Sequence, residues 1–130
     1  MPRTVLRPEV LDFQPRPTYP YSPGAAGGGF VFTAGQVAWD ASGRLVATGD
    51  LGGQTRQTLM NVKAVLEEGG ATLDDVLKCT VYLTDIRGFP VMNEVFASFF
   101  PTDPPARTTV QAVLAEPEML VEIEAVAYAG

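Results

Sequence analysis

The chain has no histidine, one cysteine and only two lysines, Lys63 and Lys78, among its 130 residues. Without histidine, Ser-His-Asp and Cys-His mechanisms and every histidine-ligated metal site are excluded. The single Cys79 has no partner for an internal disulfide, which fits a reducing cytoplasm. No GxxxxGK(S/T) phosphate loop is present, and the glycine-rich residues 24–29 match no nucleotide-binding fingerprint, so we interpret them as a flexible turn.

Long hydrophobic runs are also missing, since no apolar segment approaches the ~20 residues of a membrane span. Pro2, Pro8 and Pro15 interrupt the start, where no secretory signal is recognisable. We therefore expect one cytoplasmic domain over residues 1–130 with no membrane partner. The formal net charge of -6 argues against a broad phosphate-binding surface, so no nucleic-acid partner is expected, although a local basic spot is compatible with it.

Two stretches near the C-terminus alternate as strands do. A strand is expected after the break at Pro104-Pro105, because residues 108–110 are β-branched. Its alternation puts Arg107, Thr109 and Gln111 on one face. From Met119 to Tyr128, Glu122 and Glu124 oppose an apolar row of Val121, Ile123, Ala125 and Ala127. A short hairpin between the two strands would place the arginine and both carboxylates on the same uncovered side of a sheet.

Apolar spacings of three and four predict two helices. The first runs from Asp50, an expected N-cap, to Glu68, and the second has Pro90 in its first turn and ends at Phe100. Strands are expected near Val5, at 30–37 and at 77–84. In the strand at 30–37, Gly35 indicates a bulge or a close backbone approach. In the strand at 77–84 the inward residues would be Leu77, Cys79, Val81 and Leu83, which favours a packed thiol over a nucleophile at Cys79.

The predicted order β-β-α-β-α-β-β indicates an α+β fold, with one mixed β-sheet and two helices packed on one face. Nothing else in so short a chain can cover the opposite face. An uncovered face that mixes polar and apolar side chains predicts contact with another subunit. The residues that we expect there are Arg107, Thr109, Gln111, Glu122, Glu124, Val126 and Tyr128.

Seven short segments, in order and without large gaps between about residues 17 and 128, resemble the RidA (YjgF/YER057c/UK114) family. Any one of them is weak, and the ordered set is specific. They are Pro20-Tyr21-Ser22, Phe32-Thr33-Ala34-Gly35-Gln36, Gln54 to Ala64, Lys78 to Asp85, Phe89 to Asn93, Pro105 to Val110, and Val121 to Ala125.

The resemblance implies a chorismate-mutase-like (YjgF-like) fold in a homotrimer, with ligand clefts between subunits. It also implies hydrolytic deamination of reactive enamines and imines derived from amino acids, such as 2-aminoacrylate, to 2-oxo acids and ammonia. No metal or organic cofactor is implied. In this interpretation Arg107 holds the substrate carboxylate and Glu122 lies near the attacked carbon and its water, while Tyr21, Gly35 and Asn93 line the cleft.

Two cleft positions depart from a common form of the family. Ala34 stands where many members have serine, and Thr109 stands where many have cysteine, which excludes thiol chemistry there. Both changes are expected to influence substrate preference, and both leave Arg107 and Glu122 in place.

Three alternatives stay open from the sequence. Arg107 and Glu122 could form a structural ion pair at an interface instead of a catalytic pair. The protein could be a non-catalytic trimeric module that senses a small carboxylate. A ribonuclease or translation inhibitor is the third alternative, and the negative net charge and the missing histidine weigh against it.

Overall fold

The computed structural model describes residues 2–13 and 19–130, which form one six-stranded sheet with two helices on one of its faces. Pro15, named above, lies outside the described residues. The strands are β1 (Thr4–Leu6), β2 (Gly24–Gly27), β3 (Phe30–Thr33), β4 (Val76–Leu83), β5 (Ala106–Gln111) and β6 (Val121–Tyr128), and the helices are α1 (Leu51–Glu68) and α2 (Phe89–Phe99). Short 3-10 turns occupy Glu9–Leu11, Leu73–Asp75 and Ile86–Gly88.

The order of strands across the sheet is β1-β2-β3-β6-β4-β5. Only β4 and β5 are parallel, and the other neighbours are antiparallel. The predicted α+β fold with one mixed sheet is therefore confirmed. One strand was missed, because β2 occupies most of the stretch that we interpreted as a flexible turn. The turn itself is limited to Gly28 and Gly29, both of which have positive φ.

Both helices form where the sequence predicts them. The Asp50 side chain accepts a hydrogen bond from the Gly53 backbone N–H at 3.0 Å and so caps α1. Helix α1 ends at Glu68 with Gly69 as its C-cap, and Gly70 follows in a left-handed conformation. Pro90 lies in the first turn of α2. Among the described residues, neither helix is long and apolar enough to cross a membrane.

The core lies between the two helices and one face of the sheet. Cys79 is fully buried there, as predicted, and burial raises the pKa of its thiol to about 12. The buried core residues on the helices and central strands are Leu59, Val62, Val65, Leu66, Met92, Phe96, Val31, Cys79, Val81, Leu83, Val121, Ile123, Ala125 and Ala127. The predicted inward row of β6 is therefore confirmed.

The predicted hairpin between β5 and β6 is wrong, because β4 lies between these two strands. Cys79 pairs with Arg107, and Tyr82 pairs with Glu122. Directly paired residues share a face of the sheet. Arg107 therefore lies on the same face as buried Cys79, whereas Glu122 lies with Tyr82 on the uncovered face. The same pairing moves Thr109 and Gln111 to the helix side, since their partners are Val81 and Leu83.

The inward assignment of Leu77 is also wrong. A β-bulge between Val76 and Lys78 adds one residue to β4, and Leu77 is 55% exposed. Val76, Cys79, Val81 and Leu83 face the core on either side of the bulge. Alternation of apolar residues does not reveal such an insertion, because Leu77 itself is apolar.

Candidate active site

Arg107 lies near the start of the edge strand β5 and packs its guanidinium against helix α2. Its Cζ atom lies 4.8 Å from the ring centroid of Phe96 and 5.4 Å from that of Phe89. Its Nη2 donates a 2.6 Å hydrogen bond to Oδ1 of Asn93, and its Nη1 lies 3.8 Å from the sulfur of Met92. Burial lowers the pKa of Arg107, yet a guanidinium stays charged at any physiological pH.

No carboxylate in the described part of the chain forms an ion pair with Arg107. Asn93 and the two rings instead fix the plane of its guanidinium while leaving N–H groups without a charged partner. Stacking on aromatic faces and one strong hydrogen bond reduce the conformations that the side chain can adopt. The arrangement can bind a carboxylate supplied from outside the chain with little loss of side-chain entropy.

Glu122 belongs to the opposite, uncovered face, where its carboxylate lies against Gly35. A Cβ atom on Gly35 would overlap Oε2 of Glu122 and lie 2.8 Å from its Cδ. Burial, followed by the charge of Glu124, raises the pKa of the Glu122 carboxyl. A half-buried carboxyl with a raised pKa is better suited than an ordinary glutamate to both taking up and releasing a proton.

The close approach at Gly35 follows from an irregularity in the sheet. Phe32 pairs with Val126 and Gln36 with Ile123. The segment after β3 therefore has one residue more between these two pairs than β6 has. The extra residue lies at Ala34–Gly35, which confirms that Gly35 marks a bulge and a close approach. The regular strand β3 is shorter than the predicted strand at 30–37 because the bulge ends it at Thr33.

Gln36 was not recognised as a site residue from the sequence. It is 5% exposed, and its backbone exchanges hydrogen bonds of 2.8 and 3.0 Å with Ile123. Its Nε2 donates to the carbonyls of Pro23 and Ala34 at 3.4 and 3.3 Å. The side chain thus links Ala34, in the bulge, to Pro23 on the neighbouring segment. These bonds stabilise the bulge that holds Gly35 beside Glu122. In the sequence, a glutamine that follows a glycine in a predicted strand does not by itself indicate a site residue.

Tyr21 lies on the same side as Glu122 and is 57% exposed. Its ring stacks on that of Tyr19, with centroids 5.8 Å apart. Burial, then the nearby Tyr19 and Glu122, raise the pKa of its phenol. Next to Glu122 along the face, the hydroxyl of Tyr82 donates to Oε1 of Glu124 at 3.3 Å.

Thr109 follows Arg107 on the helix-side face of β5. Its Oγ1 is buried and has no hydrogen-bond partner within residues 2–13 and 19–130. A buried hydroxyl without a partner costs free energy unless something else supplies a hydrogen bond. Thr109 lies two residues after Arg107 on the same face of β5, and it stays a predicted ligand contact.

The described chain thus brings the predicted site residues together in two separate groups. We call Arg107, Asn93 and Thr109 the arginine group, and Glu122, Gly35 and Tyr21 the carboxylate group. The sheet lies between these groups, so Arg107 and Glu122 form no ion pair within one chain. Nowhere in the described part of the chain do His, Cys, Asp and Glu cluster as metal ligands would.

Phe89 and Phe96, the rings under Arg107, were not expected to contact it. Phe96 lies in the core, but helical spacing within α2 carries no information about the strand that packs beside it. The contact depends on β5 running parallel to β4, which the predicted hairpin did not allow.

This single mixed sheet with two helices on one face is a YjgF-type fold. The family model described as Endoribonuclease L-PSP matches residues 12–129. The chain therefore belongs to this family, which is also the YjgF/RidA family of the resemblance noted above.

Individual relatives agree with this assignment. A RutC family protein of Pyrococcus horikoshii is 46% identical over 114 residues, which are 88% of this chain and 90% of the relative. A Rid family protein of unknown function from Yersinia pestis has a solved structure that is 33% identical, with a TM-score of 0.86 and coverage of 98% and 99% of the two chains. The structure of E. coli TdcF with bound serine is 32% identical, with a TM-score of 0.84 and the same coverage.

Proposed function

We propose that this protein hydrolyses reactive 2-imino acids and their enamine tautomers, derived from amino acids, to 2-oxo acids and ammonia. The observation that carries the proposal is the Arg107 guanidinium, held by Asn93, Phe89 and Phe96 without a carboxylate partner in the described chain. A planar guanidinium can hold the substrate carboxylate through two parallel hydrogen bonds. No metal and no organic cofactor is required by this chemistry.

The reaction needs an oriented electrophile, a water molecule and a proton shuttle. Water adds to the carbon of a protonated imine, and Glu122 accepts the proton that this water releases. Glu122 then returns this proton to the amino group of the tetrahedral intermediate. The C–N bond breaks as the added hydroxyl group becomes the C=O bond, and the hydroxyl proton passes through Glu122 to the departing ammonia. The sum is an iminium acid plus water giving a 2-oxo acid plus ammonium. Acid-base help of this kind is worth about 10²–10⁴-fold.

We propose further that each site is shared between two copies of the chain in a homotrimer. The arginine group and the carboxylate group lie on opposite faces of one sheet, so one small ligand cannot contact both within a chain. Arg107 is on an edge strand, where a neighbouring copy can approach. The uncovered face also exposes Phe30, Phe32 and Tyr128, which favours burial against another copy.

The bound serine in the TdcF structure supports a ligand of amino-acid type for this site as well. Serine carries a carboxylate next to the carbon that bears nitrogen, which are the two features that Arg107 and Glu122 would contact in the proposed substrate.

The proposal is tested by generating 2-iminopropanoate from alanine with an amino acid oxidase and following imine decay and ammonia release. Arg107→Lys keeps the charge but loses the planar fork, so kcat/KM should fall roughly ten- to a hundred-fold, nearly as far as in Arg107→Ala. Glu122→Gln should keep ligand affinity and lose turnover. Arg56→Lys is a matched control, because Arg56 also lies over a phenylalanine ring, 6.0 Å from the centroid of Phe99. Full activity of Arg107→Lys would contradict the two-bond clamp.

The second candidate is a carboxylate-binding sensor, which the bound serine of TdcF also favours. In that case the protein would bind amino-acid-like carboxylates through Arg107 and release no ammonia from any imine. The family description of Endoribonuclease L-PSP suggests a third function. RNA cleavage by highly purified protein, weakened by added salt, would support it.

A further inference from the structure

The carboxylate group opens into a small cavity that the proposed reaction does not use. Its wall includes Tyr21, Gly35, Gln36 and Trp39, together with Arg7 from the segment after β1. The cavity measures about 50 Å³. That volume accommodates a few water molecules or a short side chain of about four heavy atoms that ends in a polar group.

Arg7 brings a positive charge into this cavity. Its Nη2 donates a 3.2 Å hydrogen bond to Oγ of Ser22, the residue after Tyr21. Within the described residues, Arg7 forms no ion pair with a carboxylate. Asp12 also lines the cavity and has interactions of its own. Arg3 joins Arg7 in an adjoining groove, which also includes Tyr21, Ser22 and Ala34.

This pair of arginines stands out in an acidic protein. The chain has nine basic residues and a net charge of -6, yet two of its arginines line adjoining spaces beside the carboxylate group. A half-buried guanidinium anchored by one hydrogen bond keeps several N–H donors for another acceptor. Gly35, beside which the attacked carbon would be held, lines the same cavity as Arg7.

We propose that Arg7 binds a second anionic group on the substrate, so that the preferred substrates are imines of acidic amino acids, the 2-imino dicarboxylates. The inference rests on the proposed function for its chemistry. The substrate carboxylate next to the imine contacts Arg107 of one copy, the imine carbon faces Glu122 of the other, and the side-chain carboxylate enters the cavity and meets Arg7. Imines with neutral side chains leave Arg7 hydrated and are hydrolysed more slowly.

The kinetic test compares the imine of aspartate with that of alanine, each generated by its own oxidase. The wild-type protein should favour the aspartate imine, and Arg7→Gln should lower kcat/KM for it by roughly tenfold or more while changing that of the alanine imine little. Arg44→Gln is the control, since it makes the same change in net charge at a side chain that is 82% exposed. Equal losses for both imines in Arg7→Gln, or no wild-type preference, would overturn the proposal.

A binding measurement separates this proposal from the proposed function. Calorimetric titration with oxaloacetate, a 2-oxo dicarboxylate, and with pyruvate needs no catalysis. Oxaloacetate should bind more tightly than pyruvate, and Arg7→Gln should remove the difference. Deamination of the alanine imine without any preference for oxaloacetate would overturn the role of Arg7 and leave the deaminase intact. No deamination of either imine, together with an Arg7-dependent preference for oxaloacetate, would overturn the reaction and support the anion site.

Discussion

Gly35 lies so close to Glu122 that a methyl group on the glycine would overlap the Oε2 atom of the carboxylate. The bulge at Ala34–Gly35 brings the two residues together, and the buried Gln36 holds the bulge by its backbone and its side chain. The position of a proposed catalytic carboxylate is therefore set by the absence of a side chain on the neighbouring strand.

We expect Gly35→Ala to remain folded and to lose most of its turnover. The new methyl group displaces the end of a flexible side chain, so the fold can adapt while the carboxylate moves. A misplacement of about 1 Å can cost roughly 10²-fold in rate. The measurement is kcat for imine hydrolysis, with circular dichroism to show that the fold is intact. Gly27→Ala is the matched control, since a Cβ there meets nothing within 4 Å. Unchanged turnover in Gly35→Ala would mean that the carboxylate position is not critical.

The pH dependence of activity should depend on Glu124. A general base works only when ionised, so kcat/KM should fall as the pH drops through the raised pKa of Glu122. Glu124→Gln removes one of the two causes of the raised pKa, and the acidic fall should move to lower pH. Tyr82→Phe is the control, because it removes the hydrogen bond to Glu124 but keeps its charge. If Glu124→Gln leaves the pH–rate profile in place, another group controls it.

The raised pKa of Glu122 also affects folding stability, which should fall as the pH rises, whereas activity should increase. Because the pKa of Glu122 is higher in the folded than in the unfolded chain, its protonation favours the folded state. This contribution to stability is fully present below the ordinary glutamate pKa and is lost as the pH rises through the raised value. Glu122→Gln cannot ionise and should show no loss in that interval. Denaturant midpoints of both proteins across the acidic range give the comparison, and parallel curves would contradict it.

Mixing two inactive variants provides the strongest test of a site shared between copies. In a closed trimer that mixes Arg107→Ala and Glu122→Gln chains, one interface joins an intact arginine to an intact glutamate. Random mixing by unfolding and refolding together should restore about a quarter of the wild-type activity. Either variant refolded alone should keep only its own low residual activity. A mixture without any recovered activity would show that the two groups do not meet across an interface.

The faces of β6 could be predicted from the sequence, because Glu122 and Glu124 interrupt the apolar row of Val121, Ile123, Ala125 and Ala127. Which face of β5 meets the helices could not be predicted from the sequence. Arg107, Thr109 and Gln111 are polar, but Thr108 and Val110 on the other side are themselves largely exposed. Neither face of β5 has an apolar row, so nothing in the strand itself shows which side meets the helices.

The order of the strands in the sheet could not be predicted from the sequence either. Ala112 to Leu120 connect β5 to β6, and this connection is long enough for β6 to pass over β4 and pair on its far side. The hairpin assumption placed Arg107 and Glu122 on one face, whereas only the pairing partners Cys79 and Tyr82 reveal the separation. That Arg107 and Glu122 both lie in strands was predictable, but their relation in space was not.

The bulge at Leu77 determines where strand β4 can lose a residue without disturbing the core. Val76 and Cys79 both face the core, although three positions apart, because Leu77 is an extra residue. Deleting Leu77 would restore uninterrupted alternation from Val76 through Leu83. Deleting a residue within 79–82 would instead turn part of the strand over and expose the core side chains before or after the gap. Among related sequences, single-residue gaps in this strand should therefore fall at position 77.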